Sequence, residues 1–163
     1  MQIATNAALI INGDFGLDIL NGGFGWLYSK SSDVSLALDP VEHHTSHRSL
    51  RIVFDGSGID DAGMRQPVAV QPNTTYEFSA YYKAAKIEGA GGLHLSVIDG
   101  YSAKPYLVSD PLINVDFWKP SSGKFTTGPD TRLVAIAIQR IPAGHPLRGT
   151  LWIDGLQMME VHP

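Results

Sequence analysis

Tyr76-Glu77-Phe78-Ser79-Ala80-Tyr81-Tyr82-Lys83 decides the fold. Successive side chains of an extended chain point to opposite sides, so Tyr76, Phe78, Ala80 and Tyr82 share one face and Glu77, Ser79, Tyr81 and Lys83 the other. The same period of two continues outward. Upstream, Leu50, Ile52 and Phe54 alternate with Arg51 and Val53; downstream, Leu93, Leu95 and Val97 alternate with His94 and Ser96. Between these runs, Gln71-Pro72-Asn73-Thr74 and Gly89-Ala90-Gly91-Gly92 read as turns. Strands are expected at 8–12, 34–38, 49–55, 63–70, 75–85, 92–99, 104–108, 118–127, 132–140 and 150–160. The run Leu133-Val134-Ala135-Ile136-Ala137-Ile138 has no polar face and is expected at the centre of a sheet, covered on both sides. No segment longer than two turns has helical periodicity. The expected architecture is a single all-β domain spanning 1–163, a two-sheet antiparallel β-sandwich.

Composition narrows the function classes. A chain of 163 residues is long enough to bury a full core, and its 17 Gly and 10 Pro suit many turns. With a net charge of −4 and 12 scattered basic residues, it lacks the concentrated basic face that phosphate backbones require, so nucleic acid is excluded. No apolar stretch approaches the roughly 20 residues needed to cross a bilayer, which argues against membrane insertion. The segment 1–11 has no basic start and too short an apolar run for a signal peptide. The expectation is a piece of a longer secreted or cell-envelope protein. Zero cysteines removes disulfides and thiol chemistry.

Motifs at the two ends complete the pattern. Asn12-Gly13-Asp14-Phe15 with Trp26 opens the chain, and Trp152-Ile153-Asp154-Gly155-Leu156 closes it. In between come Ser49-Leu50-Arg51-Ile52, Gln66-Pro67-Val68, the Pro72 turn into Tyr76, then Ser79, Lys83, and Trp118 with Phe125. In this order the chain resembles carbohydrate-binding modules of the xylan- and cellulose-binding kind, within the galactose-binding-like jelly rolls. The resemblance implies a jelly-roll fold, a polysaccharide or oligosaccharide partner, and neighbouring domains in a longer chain. It also implies a structural calcium between first and last strands, with Asp14, Asp154 and carbonyls near His47 as oxygen donors. Two positions depart from the family pattern: Gly16 and Gly155 stand where it has acidic residues. The alternative for Asp154 is that it accepts hydrogen bonds from backbone amides.

A sugar presents apolar C–H faces and a rim of hydroxyls, so a cleft for it needs an aromatic plane and bidentate hydrogen-bonding groups. The strand faces opposite the core offer Arg51, Glu77, Tyr81, His94 and Gln139, with Ser79, Ser96 and Gln66 beside them. If these strands neighbour one another, they form a polar floor with Tyr81 as its platform and Tyr101, Tyr106 and His145 at the rim. The other reading of this face is a solvated sheet surface, as in a structural or protein-interaction domain. Trp26, Trp118 and Trp152 are expected to be buried. The His43, His44 and His47 cluster reads as a polar loop before zinc, because no distant partner has ligand spacing. No nucleophile, phosphate loop or metalloprotease motif is present, and no catalytic residue is expected.

Overall fold

The computed structural model describes residues 9–21, 25–29 and 31–162. Among the described residues ten strands follow one another: β1 (Leu27–Tyr28), β2 (Val34–Asp39), β3 (Ser49–Gly58), β4 (Asp61–Ala69), β5 (Thr75–Glu88), β6 (Gly92–Asp99), β7 (Pro105–Val108), β8 (Val115–Thr126), β9 (Leu133–Ile141) and β10 (Pro146–Glu160). They form two antiparallel five-stranded sheets, the first in the order β1-β4-β9-β6-β7 and the second in the order β2-β3-β10-β5-β8. The result is the two-sheet sandwich expected from the alternation, in the jelly-roll form that the resemblance implies. From the second sheet, Leu50, Ile52, Phe54, Phe78, Tyr82, Leu151, Ile153 and Met158 face inward; from the first, Met64, Val68, Leu93, Leu95, Val97, Val134, Ile136 and Ile138 meet them. Each of the aliphatic side chains in this layer contributes about 1.5–3 kcal/mol by leaving water.

The first expected strand is replaced by a different arrangement. Ala8 lies outside the described residues, and Leu9–Asn12 forms a bend and turn rather than a strand. The ends of the chain still meet, because the Leu156 amide donates to the Gly13 carbonyl at 3.0 Å. Gly13 is required there: a Cβ would collide with the Leu156 carbonyl. In place of a first strand, the wholly buried side-chain amide of Gln66 pairs with the chain at Ile11. It accepts from the Ile11 amide at 2.7 Å and donates to the Ile11 carbonyl at 2.8 Å. Gln66 therefore faces the core and is not part of a polar floor.

Strand β9 is central, as expected, but it is not covered on both sides. Val134, Ile136 and Ile138 are buried while Ala135 and Ala137 are half-exposed on the outer face. The alternation here is one of size, large inward and small outward. Arg140 continues the inward parity and is the largest fully buried side chain. Its guanidinium donates to the carbonyls of Gly92 (3.3 Å), Ile141 (3.1 Å), His145 (3.2 Å) and Pro146 (3.0 Å), tying the start of β6, the end of β9 and the start of β10 together. Burial pushes its ionisation below the ordinary arginine value.

Candidate functional site

The five residues expected to make one floor are divided between the two sheets. Arg51 on β3 and Glu77 and Tyr81 on β5 face outward from the second sheet, whereas His94 on β6 and Gln139 on β9 belong to the first. They lie on opposite sides of the sandwich. Alternation places a residue inside or outside but carries no information about which sheet its strand joins.

The outer face of the second sheet is occupied by the chain's own groups. Asp39 accepts from the Trp152 indole at 2.9 Å and from Arg51 at 3.3 Å. Burial raises the Asp39 carboxyl, but these donors and the amides of Val41 and Glu42 outweigh it and leave the group below its ordinary value. Glu42 pairs with Lys83 at 2.7 Å, and Lys83 sits 5.9 Å from the Trp118 ring centre. The loop between β2 and β3 folds over Tyr81: the His44 ring stacks on it with centroids 3.9 Å apart. Tyr81 is thus no open platform, and among the described residues Glu77 has only Lys124 near it, at 4.0 Å. Trp26 is buried as expected, packed on Phe15 at 5.4 Å; Trp118 and Trp152 are half-exposed on this face instead.

The first sheet is different. Across its outer face runs a groove of about 930 Å³, within the range of ligand clefts. Its lining includes Asp61 and Arg65 from β4, Ala135, Ala137 and Gln139 from β9, and Tyr101 beyond β6. The register explains the shape. Gln139 stands opposite both Asp61 and His94, and Ala137 opposite both Arg65 and Ser96, so two small side chains on the central strand form the trough and longer polar ones flank it. Among the described residues, the side chains of Arg65 and Gln139 and the Tyr101 hydroxyl have no hydrogen-bond partner. His94 is turned aside, with Nδ1 2.7 Å from the Ser109 carbonyl, and Ser96 is buried. Sequence reasoning missed Arg65; the signal was available, since Met64, Gln66 and Val68 point inward and Arg65 must point out.

Of the expected rim, only Tyr101 belongs to the groove. Tyr106 packs on Phe125 and bonds Thr131, and His145 is exposed but contributes its carbonyl to Arg140. Tyr101 is 76% exposed, and Asp99 fixes its loop. One carboxylate oxygen accepts from the amides of Ser102 and Tyr101 at 2.9 and 2.8 Å, the other from the Thr131 hydroxyl at 2.8 Å. These donors hold the carboxyl down to about 2 from an ordinary 3.8. A folded-state value below the unfolded one gives stability that is present above pH 3.8 and lost as pH falls toward 2. Melting curves of the wild type and of Asp99→Asn between pH 5 and 2 are expected to separate at pH 5 and to converge toward pH 2. A constant separation would contradict this role.

The resemblance implies a calcium site at the seam between the first loop and β10. Asp154 is fully buried, with Oδ2 accepting from the amides of His44 (2.8 Å) and Thr45 (2.9 Å) and Oδ1 from the Gly155 amide (2.7 Å). Asp14 accepts from the Gly16 amide at 2.9 Å. Gly155 has φ +60, and a Cβ there would collide with Thr45, which accounts for glycine where the family pattern has a second acid. A hard cation needs six to eight converging oxygens. Here backbone N–H groups point at the carboxylate, and among the described residues no three His, Cys, Asp or Glu side chains converge on a metal position. The residues present do not fit calcium.

Comparison with known proteins gives the same architecture. The module of "CBM4 structure and function" superposes with a TM-score of 0.66 at 15% identity, covering 93% of this chain and 99% of that one. The CBM22-1 xylan-binding domain of Paenibacillus barcinonensis Xyn10C gives 0.61 at 14%, with 99% of each chain covered. TmCBM61, in complex with β-1,4-galactotriose, gives 0.56 at 14%, covering 95% and 99%. No curated protein matches. A family model described as carbohydrate binding domain matches residues 7–144, and with most of its length inside that match the chain belongs to the carbohydrate binding domain family.

Proposed function

We propose that this module holds a glycan chain, without cleaving it, in the groove across β4, β9 and β6 of the first sheet. The observation that carries this reading is the contrast between the two outer faces. On the second sheet Asp39 is engaged with Trp152 and Arg51, Glu42 with Lys83, and His44 with the Tyr81 ring; in the groove the side chains of Arg65, Gln139 and Tyr101 have no hydrogen-bond partner among the described residues and stand beside a trough of small side chains. Tyr101 supplies a plane for a sugar's C–H face, and the guanidinium and amide suit pairs of hydroxyls. Asp60, Asp61 and Asp99 also line the groove, where Arg65 is the single open cation among the described residues, which favours a neutral glycan over a polyuronate. The xylan-binding and galactotriose-bound neighbours are equally distant at 14% identity, so likeness of fold leaves the sugar unnamed.

Affinity electrophoresis through xylan, mixed-linkage β-glucan, β-1,4-galactan and polygalacturonate tests the reading. Retardation by at least one neutral polysaccharide is expected. In the double variant Arg65→Ala with Gln139→Ala the affinity falls at least ~10-fold, the equivalent of about 1.4 kcal/mol. Lys83→Ala on the opposite face leaves it unchanged. Absence of retardation by all the neutral polymers, or full binding by the double variant, would refute it.

A further inference from the structure

Every backbone carbonyl from Asn12 to Leu17 accepts a hydrogen bond from the chain itself. Trp26 Nε1 donates to Asn12 O at 2.9 Å, the Leu156 amide to Gly13 O at 3.0 Å, and Ser46 Oγ to Asp14 O at 2.6 Å. Arg48 Nε donates to Phe15 O at 2.8 Å and Nη2 to Gly16 O at 3.2 Å; Asn12 Nδ2 closes the series at Leu17 O, 2.8 Å away. The same Arg48 Nη2 meets the Asp18 carboxylate at 2.8 Å. Arg48 is thus a positive charge set into the oxygen-lined side of the first loop, anchored at the start of β3.

We propose that the Arg48 guanidinium is the fixed cation of this seam, doing for the terminal loop what a bound calcium ion would do. Three features support it. A planar guanidinium presents several donors in fixed directions, so one side chain satisfies two adjacent carbonyls and a carboxylate at once. Its charge stands beside the carbonyls of Phe15 and Gly16 and the Asp18 carboxylate, and would repel a divalent cation placed there. Finally, Gly16 removes the acidic side chain that the family pattern has at this point, and Arg48 Nη2 bonds that residue's own carbonyl. Asp154, on the far side of the seam, is served by backbone amides and requires no metal. The loop carrying Phe15, whose ring packs on Trp26, is then held to the sandwich without any ion.

Thermal melting of the intact chain tests this without reference to sugar binding. Wild-type curves in excess EDTA and in millimolar calcium chloride are expected to coincide. Arg48→Gln lowers the melting temperature by roughly 4–8 °C, and Arg48→Lys, which keeps the charge but loses the fork, falls between the two. Introducing Gly16→Glu into Arg48→Gln returns a carboxylate and takes away the charge. That double variant is expected to gain a melting-temperature rise on adding calcium that neither the wild type nor Arg48→Gln shows. A calcium-dependent rise in the wild type, an Arg48→Gln variant melting with the wild type, or a double variant indifferent to calcium would each overturn the proposal.

Discussion

Replacing Asp154 by alanine is expected to lower the unfolding free energy by about 3–5 kcal/mol, the cost of removing one partner from a fully buried, charge-assisted set. The carboxylate is 0% exposed and is the acceptor for the amides of His44, Thr45 and Gly155. Without it, three N–H groups are left inside the protein, and the loop between β2 and β3 loses its anchor on β10. Urea titration measures the change directly. Asp154→Asn keeps one carbonyl oxygen but turns an NH₂ toward a donor, so its loss is smaller but still clear. Because His44 hangs from the same loop and stacks on Tyr81, the alanine variant also frees Tyr81, and its fluorescence should become accessible to iodide quenching. An alanine variant within about 1 kcal/mol of wild type would contradict the account of the seam.

Arg140→Met carries the second large effect. Methionine fills a similar volume and avoids burying a charge, which by itself would stabilise. Against that, the carbonyls of Gly92, Ile141, His145 and Pro146 lose their shared donor at the place where three strands begin or end. The second term dominates because the carbonyls stay enclosed, and a net loss of about 2–4 kcal/mol is expected. Arg140→Lys recovers part of it, since an ammonium reaches fewer of the four. The measurement is again equilibrium unfolding, and a methionine variant more stable than wild type would show that these carbonyls find other partners.

Much of the fold could be read from parity along the chain. Tyr76, Phe78, Ala80 and Tyr82 are buried as their alternation demands, and the turns at Pro72 and Gly89 fall where expected. Parity also contained two facts that polarity concealed. Gln66 lies in phase with Met64 and Val68, and Arg140 in phase with Ile136 and Ile138, so both had to face inward despite their chemistry. The alanines of β9 misled in the opposite direction: hydrophobicity suggested cover, whereas their small size opens the trough. The candidate site was less legible. Arg51, Glu77 and Tyr81 alternate as cleanly as His94 and Gln139, and only strand order, set by pairing across the whole chain, separates the two groups. Nor does local sequence reveal that His44, in the β2–β3 loop, lies flat on Tyr81 of β5. Arg48 stands just before the strand pattern of β3, and its role depends on a loop some thirty residues upstream.

The glycan is expected to lie on the first sheet and not on the second. Amide chemical-shift mapping of the ¹⁵N-labelled protein, titrated with a neutral oligosaccharide of the polymer that retards it, tests this most directly. Shifts are expected to concentrate at Arg65, Tyr101, Ala137 and Gln139, with Arg51, Tyr81 and Trp152 unmoved. Shifts concentrated on those latter three, with the groove silent, would contradict it.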